Sequence, residues 1–222
     1  MRTWKLALPL LFAACGGSLK YSIDDNTVAS TSTEERSQIN AARDEGNRAD
    51  DELRSAQAQE RDVQSKLDLA ENEYKSAKLA KDSAKLNREA AAQSGDFNRK
   101  NKAERDYTAA EKAKDAAEAK VDWLEKKLKW AKRTREAAEA HQATIKSHVE
   151  LEKAKLCQQK NIRPSEKFNV MDFEQQFTDK QSKYNDARKE ADEKKTSVDD
   201  KERRYQTAQQ AADAAKVAAA SP

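Results

Sequence analysis

Two histidines, two cysteines and a large stock of carboxylates are the residues of this 222-residue chain whose types could do chemistry. His141 and His148 stand seven residues apart, about 10 Å along a helix, too far to share one metal ion without carboxylates brought from elsewhere. Surface placement is expected of both. Cys157 falls beside a seam position of a helical pattern and is expected to face solvent near a chain turn. An inert thiol and an intermolecular disulfide in an oxidising compartment are its two readings. Asp and Glu are interleaved with Lys and Arg, the pattern of solvated, ion-paired helix faces rather than of a paired catalytic acid and base. The sequence contains no phosphate loop, zinc-ligand pair or nucleophile elbow. No catalytic residue, metal site or cofactor is expected, and an enzyme is the least favoured class.

The elements that carry these residues follow from composition. Charged residues make up 37% of the chain, hydrophobic residues 36% with much of that Ala, aromatics only 6%, and there are four Gly and three Pro. A large core of branched and aromatic side chains is therefore not expected. Disorder would normally bring a large net charge and many Gly and Pro, whereas 43 basic and 40 acidic residues nearly cancel. Richness in Ala, Glu, Lys, Gln and Arg with so few breakers is the composition of long helices.

Residues 1–17, MRTWKLALPLLFAACGG, open with Arg2 and Lys5, continue through an apolar run from Leu6 to Ala14 and end at Cys15-Gly16-Gly17. The run is far short of the ~20 residues a membrane-spanning helix needs and reads as an export signal. Phe12-Ala13-Ala14-Cys15 resembles the lipobox of bacterial lipoproteins, a resemblance confined to these first residues. It implies a signal peptide at 1–14, acylation of Cys15, and a membrane anchor through lipid at that residue. Stable anchoring takes more than one acyl chain, and lipoproteins usually carry two or three. With Gly16 after the cysteine, the family default is the outer membrane of the bacterial envelope, facing the periplasm. Loss of the signal removes Arg2 and Lys5 and lowers the formal charge from +3 to +1, a balance that argues against nucleic-acid binding. Residues 15–32, polar and rich in small side chains, are expected to be the lipidated Cys and a flexible tether.

From residue 33 onward only Gly46, Gly95 and Pro164 interrupt the chain before its last residue. Gly46 lies inside an unbroken heptad pattern and is expected within a helix at a cost of about 1 kcal/mol relative to Ala. Gly95 and Pro164 sit in turn contexts and cut residues 33–222 into helices at about 33–93, 97–160 and 166–219. Ser32-Thr33-Glu34-Glu35 offers a capping box to the first, Gly95 a left-handed C′ position, Asp96 a cap for the second, and Pro164-Ser165-Glu166 a start for the third. Steps of three and four from Ile39 through Val63 to Ala91, from Ala103 through Leu124 to Leu156, and from Val170 through Val198 to Ala219 give a 3.5-residue period. The expected fold is all-α: three long helices in an elongated antiparallel coiled-coil bundle after a signal peptide and tether.

Reflection about the two turns pairs positions summing to about 190 and about 325, which puts Glu60, Trp130 and Lys194 at one level. Glu60 and Lys194 are expected either to meet as a register-setting pair or to snorkel outward separately. Trp123 and Trp130, one heptad apart beside the main seam of the second helix, suit either packing in the middle helix of a bundle or a partner-binding face. The leading functional reading is a non-enzymatic envelope lipoprotein acting as a coiled-coil spacer, scaffold or docking subunit, with protein partners or self-association. It is similar to the small heptad-repeat lipoproteins that link outer membrane to cell wall, although those usually end in Lys or Arg and this chain ends Ala-Ala-Ala-Ser-Pro. The alternative is a periplasmic helical-hairpin part of an export, efflux or chaperone assembly. Such proteins add a β-rich body, and no alternating strand run occurs in this sequence.

Overall fold

The computed structural model describes residues 19–221; the expected signal peptide and Cys15 lie outside the described residues. A short 3₁₀ turn, Asp25–Val28, precedes α1 (Ser37–Gln93), α2 (Phe97–Gln159) and α3 (Val170–Ala220). The fold is an all-α three-helix bundle, with no strand among the described residues.

Local sequence explains each boundary. The capping box forms: the Ser32 N–H donates to Glu35 Oε2 at 2.9 Å, and the Glu35 N–H donates to Ser32 Oγ at 3.3 Å. One turn then closes from the Arg36 N–H to the Ser32 carbonyl at 3.2 Å before the regular helix begins at Ser37. Gly95 takes φ +73°, the left-handed conformation that costs glycine nothing. Asp96 caps α2 by accepting from the N–H groups of Asn98 and Arg99 at 2.9 and 3.2 Å.

The second turn is built differently from the expectation. α2 ends in a Schellman motif centred on Asn161 (φ +55°), with Ile162 N–H donating to the Cys157 carbonyl at 2.8 Å and Asn161 N–H to the Gln158 carbonyl at 3.2 Å. Ile162 is thereby turned into the core. Pro164 does not open α3. Phe168 first packs on Phe173, with centroids 6.1 Å apart, and Asn169 then caps the helix by accepting from Met171 N–H at 3.1 Å.

Two compact units divide the chain: one joins the residues up to Ala49 with Glu139–Lys183, the other joins Asp50–Ala138 with residues from Tyr184 on. In the first, α1 and α2 run antiparallel, as Gly46 facing Ile145 and Glu35 pairing with Lys160 require. α2 and α3 do the same, with the His148 and Phe177 rings 5.1 Å apart. Its core draws Ile39 from α1, Leu151, Ala154, Leu156 and Cys157 from α2, and Val170 and Phe173 from α3.

The second unit is antiparallel along α1 and α2 through Arg88–Glu104, Lys81–Glu111 and Lys120–Glu73, and along α2 and α3 through Arg133–Glu190 and Lys201–Asp122. The residue sums agree with the reflections drawn from the turns. Its core is thin, with Leu67, Ala70 and Leu124 packed by Val121, Trp123 and Leu128. Alanine seams let helices approach closely but bury little area per layer. Polar seam residues reach the rim instead, as where the Arg88 guanidinium lies 3.9 Å from the Tyr107 ring centroid.

Candidate functional site

Residues 19–32 are not a free tether. The backbone N–H and carbonyl of two of its residues each find a side chain on the bundle, and two apolar side chains enter the core. Ile23 and Val28 are buried in the first unit's cluster, with Tyr21 packed against it. The Tyr21 N–H donates to Gln176 Oε1, and Gln176 Nε2 donates back to the Tyr21 carbonyl, both at 2.9 Å. A primary amide has the donor and acceptor of a peptide group, so Gln176 takes the place of a neighbouring strand.

Glu150 and Lys153 treat Ile23 in the same way, one turn apart on α2. The Ile23 N–H donates to Glu150 Oε2 at 2.6 Å, while Lys153 Nζ donates to the Ile23 carbonyl at 3.0 Å and to Glu150 Oε1 at 2.8 Å. The third ammonium hydrogen faces Asp25 Oδ1 at 2.6 Å, and Arg43 of α1 reaches the same oxygen at 2.8 Å. Lys153 is only 5% exposed and Glu150 only 9%. Charges this deep persist because their donors and acceptors are used. Hydrogen bonding from Lys153, helped by the charges of Lys153 and Arg43, holds the Asp25 carboxyl below the ordinary range.

The remainder of the segment is locked locally. Asp24 Oδ1 accepts from Asn26 N–H at 2.8 Å to start the 3₁₀ turn, and Thr31 Oγ1 donates to the Val28 carbonyl at 2.7 Å to end it. Glu35 then pairs with Lys160, which together with the Ser32 backbone lowers its pKa. The result is a strap, covalently continuous with α1 and bonded to all three helices. Its chemistry is recognition of backbone N–H and carbonyl groups by helix side chains. Among the described residues no group of three or more His, Cys, Asp or Glu side chains is placed to hold a metal ion.

The other sequence candidates fall elsewhere. Cys15 is outside the described residues. Glu60 does not meet Lys194: its Oε2 accepts from Arg135 Nε at 2.7 Å, whereas Lys194 is exposed. Ion pairs elsewhere along α2 and α3 follow the expected reflection, but azimuth decides the partner, and Lys194 is the one seam position of α3 turned out to solvent. Trp123 stacks on Tyr205 of α3 with centroids 5.4 Å apart and planes within 7°. Trp123 and Trp130 are both half-buried and lie on one heptad stripe of α2 with Ala116, Ala137, Thr144 and Leu151, all buried. That stripe is the second flank expected of a middle helix.

Cys157 does not face solvent. It is fully buried in the first unit's core, where loss of hydration raises its pKa. His148 lies 3.8 Å from Glu45 and 3.6 Å from Glu152; His141 is half-buried.

Sequence reasoning missed the strap because its anchors look like surface residues. Glu150 and Lys153 are two charges in a charged helix, and Gln176 is one of many glutamines. The legible signal was the spacing of Tyr21, Ile23 and Val28 around Asp24-Asp25-Asn26-Thr27, an apolar pattern with a turn inside it.

Fold and site define an all-α bundle whose N-terminal segment is strapped to its own helices. No family model, curated protein or solved structure matches the chain.

Proposed function

We propose that the chain is a non-enzymatic scaffold or docking subunit of a bacterial envelope, held to a membrane by lipid on Cys15. One observation supports this reading above others: the strap begins to bond with the helices at Tyr21, only six residues after Cys15. Six residues extend at most about 22 Å, so an anchor at Cys15 keeps the strapped end of the bundle near the lipid surface. A load on that anchor passes into the Glu150–Lys153 and Gln176 contacts rather than into a slack linker. No helix among the described residues is long and apolar enough to cross a membrane, so attachment in this reading rests on the acyl chains.

The test is metabolic labelling with a fatty acid, combined with membrane fractionation of the full chain and of Cys15→Ser. Label and membrane association that both disappear in Cys15→Ser support the proposal. An unlabelled wild-type chain that fractionates as a soluble protein would overturn it.

A further inference from the structure

The face of α1 turned away from the second unit's core carries an unexpected pattern. Residues two positions beyond each seam residue lie about 200° round the helix. From 65 to 90 these outward residues are all exposed and all uncharged, in a chain with 37% charged residues. Three are leucines, Leu69, Leu79 and Leu86, at 64%, 68% and 66% exposure. The corresponding face of α3 is ordinary by comparison, carrying Asp179, Asp186, Lys189, Glu193 and Arg203.

The stripe is also self-complementary when read against its own reverse. Laid antiparallel on a second copy about a centre between residues 77 and 78, Leu69 meets Leu86, Ser76 meets Leu79, Asn72 meets Ser83, and Ser65 meets Ala90. Each contact occurs twice, as a two-fold interface demands. The flanking positions carry the register: Lys75 faces Asp82 of the other copy on both sides of the axis, and both residues are exposed. Ser76 brings little polar cost, since its hydroxyl already donates to the Asn72 carbonyl at 3.0 Å.

We infer that a second copy of this chain docks here, α1 against α1, antiparallel and in this register. Twenty-six residues give a strip of about 39 Å, roughly 400 Å² per partner at a width of about 10 Å. That area belongs to the weak class of interfaces, and the like-charged Asp68–Glu89 pair at its margins limits it further. The inference stands apart from the lipid anchor, because it uses only the outer face of α1.

Cysteine pairing in the full chain reads the register. A mixture of Asn72→Cys and Ser83→Cys should form an intermolecular disulfide above the wild-type background, Asn72→Cys alone should not, and Leu86→Glu added to both should reduce the product at least tenfold. Charge reversal gives a second readout. Lys75→Asp or Asp82→Lys alone should weaken self-association about fivefold, and mixing the two variants should restore it, since both 75–82 pairs then join opposite charges. Linkage by Asn72→Cys alone would indicate a parallel arrangement and overturn the inference. So would the absence of a specific product in the mixture, or failure of the mixed charge variants to recover.

Discussion

Lys153→Met removes the ammonium that ties the strap to α2 while keeping most of the side chain's apolar length. In the native structure Lys153 Nζ serves the Ile23 carbonyl, Glu150 Oε1 and Asp25 Oδ1. Asp25 is two-thirds exposed, so its share is worth under about 1 kcal/mol. The larger loss is at Glu150, a buried carboxylate left with the Ile23 N–H as the remaining strap contact. Stripping one partner from a buried pair costs about 3–5 kcal/mol, and the lower figure applies here because relaxation of the strap lets water reach Glu150. Urea unfolding of the first unit should shift by about 3 kcal/mol, with loss of hydrogen-exchange protection at the Ile23 amide as the local sign. Glu150→Gln combined with Lys153→Met removes the stranded charge and should recover most of that loss. A Lys153→Met protein within about 0.5 kcal/mol of wild type would refute the assignment of the network as the strap's lock. A double variant no better than the single would refute the part assigned to the stranded charge.

Gly46→Ala should stabilise the protein by about 0.5–1 kcal/mol in thermal or urea melts, since an added Cβ meets Ile145 Cγ2 at 3.8 Å, an ordinary contact, and helix propensity improves. Acid should release the strap before the helices melt. Asp25 and Glu35 both have lowered folded pKa values, so their contribution is full above the ordinary carboxylate range near pH 4 and is lost as pH falls through the folded values. Exchange at the Ile23 amide followed from about pH 6 to pH 2 should show protection falling only below about pH 4; a loss already complete at pH 5 would contradict the assignment.

Periodicity and punctuation were enough to determine from sequence that there are three helices and which face of each is apolar, but not where α3 begins. Unbroken steps of three and four fix which face of each helix is apolar, and Gly95, Asp96 and the Ser32–Glu35 box act through their own backbone within a few residues. Such interactions are local, so a linear reading captures them. Glycine's freedom at positive φ explains why Gly95 was legible as a stop; Asn161 performs the same task with a residue common elsewhere in the chain, so its type alone does not mark it as the left-handed position.

Tertiary structure alone decided what is long-range. Whether Glu60 meets Arg135 or Lys194 depends on the azimuth of three helices at one level, which the heptad count leaves free. The strap depends on Ile23 reaching Glu150 and Lys153, 127 and 130 residues away, and no property of those side chains in isolation marks them as buried. Desolvation turned two ordinary helix charges into an anchor for a passing backbone, and that change of environment exists only once the chain is folded.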